Sequence, residues 1–288
     1  MRLLYSSDLH GEIRLYEELL KRAAVSSAEI IALGGDLFPS IPATKNYEQM
    51  IPNQVRFIDQ FLMPFFERTL EASSVKRILL ISGNWDLAYP HLFNEPLEGL
   101  IDLNEEKHLL ENGYELIGYP YVPPSPFRPK DYEKMDDPDS PWPDQKSPSY
   151  IRAPEKMDRL IPVDPYGYLK QKGTIRDDLG RLPKSIHPER TIYVMHSPPF
   201  GTQLDRIQGG RFAGSRSIRT FIEEQQPLLT LHGHIHESAA ISGTSVDRIG
   251  ETISVNPGQS FWTGRESATL DAVTFEVERP AETMTHRE

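Results

Sequence analysis

The chain has 288 residues, 38% hydrophobic, and no cysteine, which excludes disulfides, Cys-metal sites and thiol catalysis. Its net charge of −11, from 31 basic and 42 acidic side chains, makes duplex nucleic acid an unfavoured partner, since that binding relies on Lys and Arg neutralising phosphates. Apolar runs fall far short of the roughly 20 residues of a membrane span, and the N-terminal stretch has no signal-peptide core, so no membrane is expected and the cytoplasm is the expected compartment.

Arg2–Ser6 reads as a short strand that stops at the polar turn Ser7-Asp8-Leu9-His10-Gly11. Residues 12–25 place Ile13, Tyr16, Leu19, Leu20 and Ala23 at helical spacing. Residues 29–33 have the pattern of a buried strand ending in Gly34-Gly35-Asp36. Residues 52–71 read as a second helix, with Pro64 expected to kink or break it. Arg77–Ile81 is a third buried strand, ending in Gly83-Asn84-Trp85-Asp86. This β-α-β-α-β rhythm predicts a mostly parallel sheet covered by helices, with ligands at the carboxyl ends of the strands.

Residues 120–190 hold fourteen of the 25 prolines. They are expected to form a lid-like insertion packed near the site, with a partner-contact arm or disorder as alternatives. Tyr121, Tyr132, Trp142, Tyr150, Tyr166 and Tyr168 argue for packing, and only 174–182 reads as helix. The alternating pattern resumes with a strand at Thr191–Met195, ending in His196. A helix is predicted at 215–226 and a strand at 228–231, ending in His232-Gly233-His234-Ile235-His236. Further strands are expected at 238–242, 252–255 and 268–277. Residues 1–278 form one predicted domain, and 279–288 a polar, frayed tail. Asn256-Pro257-Gly258-Gln259 reads as a tight turn.

Five strand ends thus carry candidate metal ligands: Asp8 with His10, Asp36, Asn84, His196, and His234 with His236. A lone strand-end His is ordinarily a hydrogen-bonded surface residue; the joint pattern carries the argument. Imidazole with carboxylate suits Zn, Mn, Fe or Ni. Seven candidates exceed the needs of one tetrahedral ion and match two ions sharing a carboxylate. Such a pair, about 3.5–4 Å apart, can bind both the attacking and the leaving oxygens of a phosphoryl displacement.

In this order of motifs (Asp-X-His, Gly-Asp, Gly-Asn, His, Gly-His-X-His) the sequence resembles the calcineurin-like metallophosphoesterase superfamily over roughly residues 1–118 and 190–278. The resemblance implies an α/β fold, a four-layer α-β-β-α sandwich with a dinuclear metal site at the strand carboxyl ends. It implies that Asp8, His10 and His236 hold one divalent ion, that Asn84, His196 and His234 hold the other, and that Asp36 bridges them. Mn is the first expectation, with Fe, Zn or Ni as alternatives. The implied reaction is attack on phosphorus by a hydroxide shared by the ions. Asp36, Asn84, His10 and Asp86 form the implied catalytic set. The modest size points to the bacterial-type branch, acting on a phosphodiester or small phosphorylated metabolite.

One motif departs from the family. The His that usually follows Asn in the third motif is here Trp85, whose indole N–H donates a hydrogen bond but delivers no proton at neutral pH. Good leaving groups would suffer least. His91 is a candidate replacement, His232 reads as a packing residue behind the ligands, and Asp86 is expected to orient the Asn84 loop. Arg211, beside Gly209-Gly210 and before a predicted helix start near Gly214-Ser215, is a candidate phosphate contact. With Asn84 and Trp85 it completes the substrate-binding candidates. Arg216 and Arg219 read as helix arginines pairing with Glu223 and Glu224. The alternative is a metal-containing or vestigial scaffold of the same fold that binds a protein partner. A nuclease is opposed by the absence of a basic stripe. The sequence leaves the oligomeric state open.

Overall fold

The near-continuous apolar runs become strands buried on both faces, as parallel strands under helices must be. The computed structural model describes residues 1–40, 46–88, 97–140, 144, 148–153, 159–183, 185–260 and 269–286. The first half runs β1 (Arg2–Ser6), α1 (Ile13–Ser26), β2 (Ile30–Gly34), α2 (Met50–Phe57), α3 (Met63–Ala72), β3 (Arg77–Ile81), β4 (Leu100–Asp102), β5 (Lys107–Leu109) and β6 (Glu115–Tyr119). The insertion holds β7 (Ser149–Arg152), β8 (Leu160–Val163), α4 (Pro165–Gln171) and α5 (Ile175–Leu179). There follow β9 (Thr191–Met195), β10 (Arg206–Ile207), β11 (Arg211–Phe212), α6 (Arg216–Gln225), β12 (Leu229–Leu231) and α7 (Ser238–Ser242). The chain closes with β13 (Val246–Ile249), β14 (Thr252–Val255), β15 (Val273–Glu276), α8 (Pro280–Thr283) and β16 (Thr285–His286).

Two six-stranded sheets result, ordered β16-β15-β1-β2-β3-β4 and β13-β14-β12-β9-β6-β5. Strand alternation assigns the layers. Leu4, Ile31, Leu33, Ile78 and Leu80 face outward onto Tyr16, Leu19, Phe65 and Phe66 of the helices. Their neighbours Leu3, Tyr5, Ile30, Leu79 and Ile81 face inward against Leu116, Ile192, Val194 and Leu231 of the second sheet. That sheet's other face, with Ile117, Tyr119, Tyr193 and Met195, is covered by Ile175 and Leu179 of α5 and by Ile218 and Ile222 of α6. The molecule is a four-layer α-β-β-α sandwich. Among the described residues no helix is long and apolar enough to cross a membrane.

Several elements differ from the sequence expectations. Pro64 does not break its helix. Residues Ile58–Leu62 form a wide π turn in which the Met63 N–H reaches back to the Ile58 carbonyl, so the helical path continues. The predicted strand at 238–242 is instead helix α7, and the strand follows at Val246–Ile249. Ser238-Ala239-Ala240-Ile241-Ser242 is too short for periodicity to distinguish the two. The expected frayed tail contains α8 and β16, the latter paired with β15. Pro165–Gln171 is also helical, begun by Asp164, whose side chain accepts from the Gly167 N–H.

The insertion leaves β6 and returns as β9, its parallel neighbour. Few of its contacts are ladders. Lys130 and Glu133 form an ion pair at 2.7 Å with both side chains fully buried. Lys134 bonds Asp178, which also accepts from the Tyr119 hydroxyl at 2.9 Å. Asp136 reaches α6, accepting from the Arg216 N–H at 2.8 Å and from the Ser215 hydroxyl. Arg152 donates to the Ala88 carbonyl at 2.7 Å, beside the loop after β3.

Candidate metal centre

The loops after the strands stay in register with one another beyond the strand ends. The Asp8 N–H donates to the Gly35 carbonyl at 2.9 Å and the His10 N–H to the Asp36 carbonyl at 2.8 Å. In the second sheet the Gly233 N–H donates to the His196 carbonyl at 3.0 Å. Asp8, His10, Asp36 and His234 all sit in the left-handed region, with φ of 59°, 44°, 53° and 67°. Few residues other than glycine adopt it, though Asp and His do so more readily than most, and such strain gathers where a loop must aim a side chain.

The ligand atoms fall into two groups, each lying within 4.8 Å: Asp8, His10, Asp36 and His236, and Asp36, His196 and His234. Asp36 belongs to both. In the first group His10 Nε2 lies 3.2 Å from His236 Nε2, and His236 Nε2 lies 3.3 Å from Asp8 Oδ1. In the second, His196 Nε2 lies 3.4 Å from Asp36 Oδ2 and 3.3 Å from Asn84 Oδ1. His196 Nδ1 is 2.7 Å from the Gly34 carbonyl, which only accepts, so a proton sits there and Nε2 is the atom turned toward the cluster. The Asn84 Nδ2 is buried without a partner among the described residues. All seven predicted ligands are thus gathered into one cluster.

Burial pulls the His10 and His234 imidazoles down to about 4 and about 3, leaving neutral rings that can ligate. His196 is pulled down by burial but held up, at about 9, by the charges of Asp36 and Asp8. Burial raises the Asp8 carboxyl, and its histidine neighbours, His236 foremost, more than reverse this and hold it well below the usual range. Ligand atoms this close repel unless protons or a cation stand among them, and the mixed nitrogen and carboxylate set fits a divalent transition ion that would displace those protons. The fit is tight: a Cβ on Gly83 would stand 2.3 Å from Asp36 Oδ1 and 2.6 Å from His196 Nε2.

Asp86 is not among the clustered ligand atoms. Its buried carboxylate accepts from the N–H groups of Leu37, Phe38 and Gly83, each at 2.9 Å, tying the loop after β2 to the loop after β3. Burial, then the charge of Asp36, raises its pKa to about 7. Trp85 donates its backbone N–H to Asp36 Oδ1 at 2.7 Å. Its ring packs 5.1 Å from Phe127 of the insertion and against Met50, Ile51 and Leu87. Sequence reasoning missed Gln54, fully buried on α2, which donates to the Trp85 carbonyl at 2.8 Å and accepts from the Leu87 N–H at 3.2 Å. A lone Gln in a helical pattern carries no signal for this.

His232 lies behind the ligands, its Nδ1 2.9 Å from the Ser197 carbonyl and its Nε2 2.8 Å from Thr230 Oγ1. Asn256 does more than turn the chain: its amide donates to the carbonyls of Gly233 and Ile235, on either side of His234. Arg211 is exposed on the β10–β11 hairpin, where it pairs with Ile207, and its side chain makes no hydrogen bond or ion pair among the described residues. The helix N-terminus beyond it, expected to suit a phosphate, already holds the Asp136 carboxylate. Arg219 pairs with Glu223 at 2.7 Å, whereas Arg216 lies over the Phe200 ring at 3.6 Å. His91 and Trp142 lie outside the described residues.

A family model described as calcineurin-like phosphoesterase matches residues 1–238. No curated protein matches the chain. A crystal structure with 15% identity and a TM-score of 0.59 is similar over 100% of this chain and 98% of its own. The crystal structure of TT1561 of Thermus thermophilus is similar over the same shares, with 15% identity and a TM-score of 0.54. At this identity the likeness is one of fold.

Proposed function

Since the chain belongs to the calcineurin-like phosphoesterase family, we propose that it is a metal-dependent phosphoesterase that hydrolyses a phosphodiester or a small phosphorylated metabolite. The observation that carries this reading is the sharing of Asp36 between two groups of convergent lone-pair donors. A protein-binding scaffold would have no use for that arrangement. When bound, two divalent ions supply an activated water and neutralise charge at phosphorus. Asp8, His10 and His236 would hold one, and Asn84, His196 and His234 the other.

The chain's own residues then set the geometry. Asp86 and Gln54 hold the Asn84 and Asp36 loops against each other through backbone groups. Trp85 occupies the position of the family's acid, and its ring supports Phe127 of the insertion. The insertion would border the substrate on that side. With no proton to give, Trp85 restricts the enzyme to good leaving groups, because general acid catalysis is worth about 10²–10⁴-fold.

The test is hydrolysis of bis(p-nitrophenyl) phosphate and p-nitrophenyl phosphate by metal-stripped protein reloaded with Mn²⁺. Turnover should require metal and vanish in His196→Ala. Trp85→His should gain most on esters with poor leaving groups. Two bound ions per chain without turnover on any phosphoester would overturn the reading.

A further inference from the structure

His236 stands five residues past Leu231, the end of β12, further beyond its strand than any other ligand of the cluster. A sheet fixes the backbone only as far as its strands stay paired, so a ligand this distant needs a hold from elsewhere. The turn Asn256-Pro257-Gly258-Gln259, which follows β14, supplies it. The Gln259 N–H donates to the His236 carbonyl at 3.0 Å. Gly258, with φ of 68°, lies so close to that carbonyl that a Cβ would stand 2.7 Å from its oxygen.

The Gln259 side chain is fully buried and joins two further loops. Its Oε1 accepts from the Asp271 N–H at 3.2 Å, and its Nε2 donates to the Ser7 carbonyl at 3.3 Å. Asp271 is itself fixed, its carbonyl by the Ser6 hydroxyl at 2.9 Å and its carboxylate by the Ser260 N–H at 2.6 Å. A donor on one side and an acceptor on the other set the orientation of the amide, and among neutral side chains of this length only Gln offers both.

Ser7 immediately precedes Asp8. One residue therefore bonds the backbone beside Asp8 and the backbone of His236, whose Nε2 lies 3.3 Å from Asp8 Oδ1. The second group of ligands is held by other means. Asn256 donates to the carbonyls on either side of His234, and His196 donates to the Gly34 carbonyl. Building on the two-ion reading above, we propose that Gln259 is a positioning residue for one ion alone: it sets the spacing of Asp8 and His236 through their backbones and leaves the ion of Asn84, His196 and His234 untouched.

The test is Mn²⁺ binding, followed by metal counts and electron paramagnetic resonance. The parent should bind two Mn²⁺ per chain and give the broad signal of an exchange-coupled pair. Gln259→Met keeps the volume and removes both side-chain bonds. It should weaken one Mn²⁺ by about 10–100-fold and the other by less than about threefold. At limiting Mn²⁺ it should show the resolved hyperfine signal of a lone ion, matching that of His10→Ala and not that of His234→Ala. Turnover should fall with the lost ion and return as Mn²⁺ is raised. Gly258→Ala should give the same signature with every polar group in place, because its Cβ would press on the His236 carbonyl. Equal weakening of both ions in Gln259→Met, or parental affinity for both, would overturn the positioning proposal alone. Loss of cooperative melting in both metal-free variants would make Gln259 a folding residue and overturn it as well. A parent protein that binds fewer than two ions would overturn the two-ion reading and this proposal with it.

Discussion

In the insertion, all three Lys130 ammonium hydrogens are used, by Glu133 and by the carbonyls of Ser125 and Phe127, while Glu133 also accepts from Ser125. At the strand ends, Asp8, Asp36 and His196 are as deeply buried, but each meets the backbone with one side of its side chain, through the His234 N–H, the Trp85 N–H and the Gly34 carbonyl, and turns the rest toward the other ligand atoms of the cluster. Burying charge is costly unless every valence is met. The insertion meets that requirement from within, and the strand ends leave it for something to be bound. A completed set of buried polar bonds therefore marks structure here, and an incomplete one marks the site.

The sharpest way to break this contrast is Asp36→Asn. It should lower metal-dependent turnover by more than about 100-fold. Bound metal, counted by inductively coupled plasma mass spectrometry, should fall below two ions per chain. The metal-free protein should melt no lower than the parent, since a buried charge has been removed. Gly83→Ala should reproduce the metal loss with every ligand intact, because its Cβ would enter the cluster.

The insertion should respond in the opposite way. Glu133→Leu alone leaves Lys130 buried and unpaired and should cost about 3–5 kcal/mol in urea unfolding. Lys130→Met with Glu133→Leu should recover most of it. Equal losses in the single and double variants would mean that packing, not charge, holds this region. Asp136→Ala should cost about 1–2 kcal/mol by uncapping α6, with bound metal unchanged.

The smallest effect is one of pH. Burial lowers the Lys172 pKa to about 8, below its unfolded value, so between there and about 10 the unfolded chain binds more protons and stability rises with pH. Lys172→Met should flatten that rise in unfolding experiments run across the window.

The contrast also explains what the sequence disclosed. Each ligand directly follows a strand whose two apolar faces are visible as a continuous run, so Asp8, Asp36, Asn84, His196 and His234 could be placed at one end of the sheets by counting. The central strands and the helices α1, α2–α3, α5 and α6 followed from the same signal, whereas β4 to β6, β13 and the short β16 did not, and the division into two sheets came from the family resemblance. The insertion is held by bonds such as Asp136 to Arg216, between residues 80 apart with no periodic signature. Gln54 and Asn256 act on backbone groups of distant loops and were equally invisible. The Asp164-Pro165 pair that starts α4 was a readable cap, overlooked beneath the proline content around it.

β1 lies between β2 and β15, and Arg2 pairs with Glu276. On a ribosome adding about 5–20 residues per second, the partner for one edge of β1 emerges only after on the order of tens of seconds. Until then the strand leading into Asp8 shows an open, apolar edge to every other nascent chain nearby. Rapid overexpression should therefore yield aggregates nucleated at residues 2–6, and slower translation should relieve them.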